Sequence, residues 1–155
     1  MPSLALDLPL FIPLFISIAM QLLQQYLIIG LGGALGSMLR FGLGSLIDTN
    51  VQKTGQIFPW GTIVVNITGC FVIGFIFTIS TGEGRLLLSP LTRNFITIGI
   101  LGGYTTFSSF SWQTLTLAQS GQMWGAVANV ILSVVLCLVG VWLGAMLAAW
   151  INQLR

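Results

Sequence analysis

Long apolar runs separated by short polar breaks dominate the chain. Crossing about 30 Å of hydrocarbon as a helix takes about 20 apolar residues. Four runs reach that length: Tyr26 to Ile47, Phe58 to Ser80, Leu91 to Ala118 and Met123 to Ile151. Polar punctuation falls between them. Asp48, Thr49 and Asn50 with Lys53 to Gln56 predict a first loop, Thr81 to Pro90 a second, and Ser120, Gly121 and Gln122 a third. Four spans put both termini on one side of a membrane. A further apolar stretch, Leu8 to Ala19, is short for a span, and Pro9 and Pro13 argue against a continuous helix there. Residues 1–19 are therefore read as an interfacial N-terminal extension and residues 20–155 as the membrane domain, with Met20 as an alternative natural start.

Within the spans the small and polar positions are periodic. The first is glycine-rich, and Gly32 with Gly36 forms a GxxxG pair of the kind that lets helix backbones approach closely. In the second, Thr62, Asn66, Cys70 and Gly74 recur every four residues and define one helix face. Asn129, Ser133 and Cys137 repeat the spacing in the fourth. The third contains Gly102-Gly103-Tyr104-Thr105-Thr106-Phe107-Ser108-Ser109-Phe110-Ser111 in mid-span. Paired glycines weaken a helix, and Thr and Ser side chains compete for its backbone hydrogen bonds. The segment is expected to break the third helix, and such backbone is tolerated in a bilayer only where it is buried in protein or lines a polar cavity. A kinked packing helix is the plainer alternative.

Composition agrees with a lipid environment. The chain is 55% hydrophobic and 5% charged, with a mean hydropathy of +1.00, outside the range of soluble domains. A net charge of +2 without a basic cluster excludes a nucleic-acid partner. Cys70 and Cys137 lack metal or redox spacing and read as small core residues. The N-terminus lacks the leading positive charge of a secretory signal. Arg85, Arg93 and Arg155 lie on the terminal side, against Lys53 and Arg40 on the other. So weak a bias steers orientation poorly, which predicts insertion both ways and an antiparallel dimer; a single orientation set by Arg85 and Arg93 is the alternative.

Several residues carry candidate chemistry. Arg40, the one charge well inside a span, either snorkels to the interface or attracts anions to a pore mouth. Asn66 at membrane depth serves either as interhelical glue or as an N–H donor to an anion. Phe107 and Phe110, three apart, share a helix side, and their electropositive ring edges suit a small anion as well as ordinary packing. Uncharged hydroxyl and amide donors match what rapid anion passage requires, namely binding strong enough to replace hydration yet weak enough to release.

Gly33-Ala34-Leu35-Gly36-Ser37-Met38-Leu39-Arg40-Phe41, Gly61-Thr62 with Asn66 and Gly69, and the Gly102 to Ser111 run occur in the order of the signature blocks of the Fluc/CrcB fluoride channels, which the chain resembles from Met20 onward. The resemblance implies an all-α, multi-pass inner-membrane protein of four transmembrane helices with a broken third, assembled as an antiparallel, dual-topology homodimer with two fluoride pores. It implies a fluoride-selective channel that exports fluoride passively, with no catalytic reaction. It matches Asn66, Phe107, Phe110, Ser108, Ser109 and Ser133 to the pore, Arg40 to the vestibule, and the main-chain carbonyls of Gly102 and Thr105 to a structural sodium ion at the dimer centre. The fourth helix departs from the family where Cys137 replaces a hydroxyl, a better donor than a thiol. A proton-coupled multidrug exporter is the main rival, but it needs an acid inside the spans, and Asp48 and Glu83 are expected in loops. A non-transporting assembly subunit would need the packing motifs without the Gly-Gly-x-Thr-Thr run.

Overall fold

Residues 8–52, 58–80 and 86–154 are described by a computed structural model, and their regular elements are all helical. Among the described residues three helices are each long and apolar enough to cross a membrane: α1 (Leu8–Gln52), α2 (Trp60–Ser80) and α6 (Met123–Gln153). Between α2 and α6 the chain forms a segmented helical run, comprising α3 (Pro90–Asn94), a π-helical stretch Phe95–Leu101, α4 (Gly102–Tyr104) and α5 (Phe107–Gln119). Lys53, Glu83, Arg85 and Arg155, which enter the expectations for charge and loops, lie outside the described residues, as does Asp7.

The first helix departs from expectation at both ends. It is continuous through Pro13 rather than broken ahead of Met20. Pro9 falls in its first turn, where a missing N–H costs nothing, and the rest of the apolar sequence tolerates one lost bond at Pro13. It also runs past Ile47, so Asp48, Thr49 and Asn50 are helical, not loop. At about 1.5 Å per residue its 45 residues extend about 68 Å, over twice the hydrocarbon thickness. Residues 12–27 are exposed throughout and touch no other element closely enough to be covered.

Glycine sets the packing. In lipid, apolar side chains gain little by leaving their surroundings, so close backbone approach and polar contacts decide which helices associate. A Cβ on Gly74 would strike the Val141 carbonyl, one on Gly140 would lie 3.0 Å from the Ile67 carbonyl oxygen, and one on Gly144 would strike the Phe71 carbonyl. Together these seat α2 on α6. On the other side of the molecule the GxxxG pair meets the segmented run: Gly32 lies against the Phe95 carbonyl and Gly36 against that of Ile100, while Gly103 abuts Gly33. The outer surface stays apolar, with Trp124 86% exposed and Phe41 76% exposed, as a protein solvated by lipid requires.

The joints are capped locally. Asp48 reaches from α1 to accept the Gly61 N–H at 2.8 Å, placing a carboxylate at the positive end of α2. Ser89 caps α3 by accepting the Thr92 N–H, with Pro90 opening the helix. Gly121, at φ 79°, turns the chain between α5 and α6.

Gly144→Ala should lower stability by about 1–3 kcal/mol, because the added methyl overlaps backbone that cannot move alone. Gly30→Ala, with open space around the new methyl, should be neutral or stabilising by up to about 1 kcal/mol. Denaturant titration in detergent micelles compares the two.

Candidate functional site

The segmented run loses its helical backbone at two residues. Gly102 to Tyr104 remain helical; Thr105 (φ −82°, ψ 155°) and Thr106 (φ −151°, ψ 115°) are extended; the helix restarts at Phe107. Extended backbone exposes an N–H and a C=O that a helix would satisfy internally. Asn66 of α2 satisfies both at Thr106. Its Oδ1 accepts the Thr106 N–H at 2.8 Å, and its Nδ2 donates to the Thr106 carbonyl at 3.1 Å. The Thr106 hydroxyl then caps α5 by accepting the Ser109 N–H at 3.2 Å.

These bonds divert two donors. In a continuous helix the amides of Thr106 and Ser109 would serve the carbonyls of Gly102 and Thr105; here they go to Asn66 and to the Thr106 side chain. The Asn66 amide, holding one bond through Nδ2, keeps a second N–H. Gly69, one turn beyond Asn66, has no room for a side chain because Thr105 and Tyr104 fill its place.

Two cavities meet at the break. The larger, a groove of about 490 Å³ open on one side, is walled by Asn66, Thr106, Phe107, Phe110 and Ser133, with Cys70 and Cys137 further along. Most of its surface is apolar side chain, interrupted by those few polar atoms. The rings of Phe107 and Phe110 stand 5.2 Å apart at 50°. They differ in setting, Phe110 being 8% exposed and Phe107 77%. The second cavity, about 300 Å³, is polar and includes Arg40, Asp48, Thr62, Ser109 and Gln113. Thr106 belongs to the walls of both.

Most of the expected site residues are brought to these two cavities, though not to one. Asn66, Phe107, Phe110 and Ser133 face the groove, together with Gly102 and Thr105; Arg40 and Ser109 face the polar cavity. Ser108 faces neither, its hydroxyl lying 3.2 Å from that of Thr106. Of the fourth-span stripe, Asn129 is glue: it donates to the Thr114 hydroxyl at 2.7 Å, is 1% exposed and lies off the groove, leaving Ser133 and Cys137. Thr62 likewise turns to the polar cavity.

Two residues here escape the sequence reading, whereas Thr106, inside the run expected to break the helix, carries the break itself. Asp48 lies two turns beyond Arg40, and Gln113 one turn beyond Ser109, so each shares a helix face with a recognised residue. Gln113 has its Oε1 buried without a hydrogen-bond partner. The spacing was visible in both cases; what hid Asp48 was its expected place in a loop.

The chain matches the family model described as CrcB-like protein, camphor resistance, over residues 27–145. It is 55% identical over 128 residues to the fluoride-specific ion channel FluC of Rhodospirillum rubrum, covering 83% of this chain and 97% of that one. To the fluoride-specific ion channel FluC of Opitutus terrae it is 52% identical over 130 residues, covering 84% and 96%. The similarity to the FluC of Coxiella burnetii is 44% over 123 residues.

Asn66→Ala strips both partners from the Thr106 backbone. The loss should be about 2–4 kcal/mol, as a buried donor and acceptor left unmet each cost about 1–3 kcal/mol. Denaturant titration beside the wild type measures it, and an Asn66→Ala protein of unchanged stability would contradict the two-bond lock.

Proposed function

Because this chain belongs to the CrcB-like family, we propose that it is a fluoride-specific ion channel, passing fluoride out of the cell down its electrochemical gradient. One observation carries the mechanism: a helix break whose exposed backbone is tied by Asn66, beside a groove that is apolar except for a few uncharged donors.

Fluoride approaches through the polar cavity, where the Arg40 guanidinium offsets its charge and the hydroxyls of Thr62 and Ser109 replace part of its water. Thr106, common to both walls, marks the crossing into the groove. There the second N–H of Asn66 donates to the ion, the start of α5 adds the positive end of a helix dipole, and the ring edges of Phe107 and Phe110 add a weak attraction. The Ser133 hydroxyl, which donates to Asn129 Oδ1 at 3.4 Å, lies further along. Each contact is weaker than an ion pair, so the anion is held without being trapped. Ser108, facing neither cavity, supports the Thr106 hydroxyl instead of touching fluoride.

The working unit is an antiparallel homodimer with two pores in the inner membrane. The open side of the groove and the exposure of Phe107 support a second copy as the missing wall. The segmented run from Pro90 to Gln119 counts as the third of four spans, interrupted at Thr105 and Thr106. The carbonyls of Gly102 and Thr105, whose helical donors are diverted, fit a hard cation, and these residues would hold a sodium ion at the dimer centre. When bound, sodium would supply positive charge beside these carbonyls.

Purified protein in liposomes should release fluoride rapidly and chloride hardly at all, and Phe107→Ile should suppress the fluoride efflux while leaving the protein folded. Fluoride-selective electrode traces recorded beside chloride traces decide this. Folded protein without fluoride efflux would overturn the proposal.

A further inference from the structure

Two thiols lie in the groove wall for which conduction has no use. Cys70 of α2 and Cys137 of α6 are both partly exposed, both line the groove, and stand near enough to interact. A thiol donates poorly, so a serine at either place would serve a small anion better. The helices that carry them are held together within a turn of the pair. Near Cys137, Gly140 brings α6 onto the Ile67 carbonyl, and one turn beyond Cys70, Gly74 brings α2 onto the Val141 carbonyl. A disulfide demands Cα atoms about 4.4–6.8 Å apart, and Cys70 and Cys137 stand one turn ahead of Gly74 and Val141, whose backbones touch.

We propose that Cys70 and Cys137 form a redox-sensitive pair in the groove wall, closing to an intrachain disulfide that staples α2 to α6 and shuts down anion passage. The reagent class is an uncharged two-electron thiol oxidant, for which a diazenedicarboxamide is the probe. One cysteine adds as thiolate across the N=N bond, forming an S–N bond while the other nitrogen takes a proton. The second thiolate then attacks that sulfur, the S–S bond forms, and the S–N bond breaks. The hydrazine leaves with both hydrogens, so two thiols are oxidised and one diazene is reduced. Closure draws the two side chains together and fixes α2 against α6, altering the shape of the groove where it continues beyond Ser133. The effect on flux rests on the channel reading above; the disulfide itself does not.

The test uses the full chain in liposomes treated with the diazenedicarboxamide, then with a dithiol reductant. Intact mass of the denatured, non-reduced chain should fall by two hydrogens, with both cysteines protected from maleimide. Fluoride efflux should be lost on oxidation and return on reduction. Cys70→Ser and Cys137→Ser, made separately, should each lose this sensitivity, whatever their own efflux. An unchanged mass, or a cross-link between chains in place of the intrachain bond, would overturn the pairing. A disulfide that forms while efflux persists would overturn its control of the groove. If the reduced protein itself carries no fluoride, the channel reading fails while the mass still decides whether the pair closes.

Discussion

An extended residue in the middle of a helical run leaves an amide and a carbonyl unsatisfied, and lipid offers neither a partner. Asn66 supplies both to Thr106, through bonds of 2.8 and 3.1 Å from one planar amide. The rest of the site follows from this interaction. It allows the backbone to leave the helix, frees the Thr106 hydroxyl to cap α5, and diverts the amides that the Gly102 and Thr105 carbonyls would otherwise receive. It also holds the beginning of α5, and with it Phe107 and Phe110, against the groove.

The glycine contacts make this geometry reproducible. Asn66 can meet Thr106 because Gly69, one turn on, lets Thr105 and Tyr104 lie directly on α2. The opposite side of the break is held by Gly33 and Gly36 of α1, which admit Gly103 and the Ile100 carbonyl at backbone distance. Between the two supports the π-helical stretch Phe95–Leu101 shifts the register ahead of the break, an adjustment often found at functional sites. A break in one helix is thus enforced by two continuous ones.

Much of this was legible in the sequence because membrane spans and period-four stripes are local signals. The apolar runs give α2 and α6 to within a few residues, and the Gly102 to Ser111 run draws attention to the segment holding the break. The first helix was harder: Pro13 and the cluster Asp48 to Asn50 carry the signals of a stop, yet the helix runs through both. Asp48 does so because its carboxylate meets the Gly61 N–H of α2, a long-range partner that no local rule reveals. The same limit applies to side-chain direction. Asn129 and Ser133 share a stripe, but only the tertiary contact with Thr114 shows that Asn129 is spent between helices. Asn66 is glue in the same sense, its Oδ1 and Nδ2 locking Thr106, while one N–H remains.

The most direct test of the account exchanges Asn66 for aspartate and measures fluoride efflux from liposomes. Aspartate keeps an acceptor for the Thr106 N–H but replaces the remaining donor with negative charge on the anion's path. A folded Asn66→Asp protein that has lost fluoride efflux is the predicted result. A folded one that conducts fluoride as the wild type does would contradict the claim that the ion passes this amide.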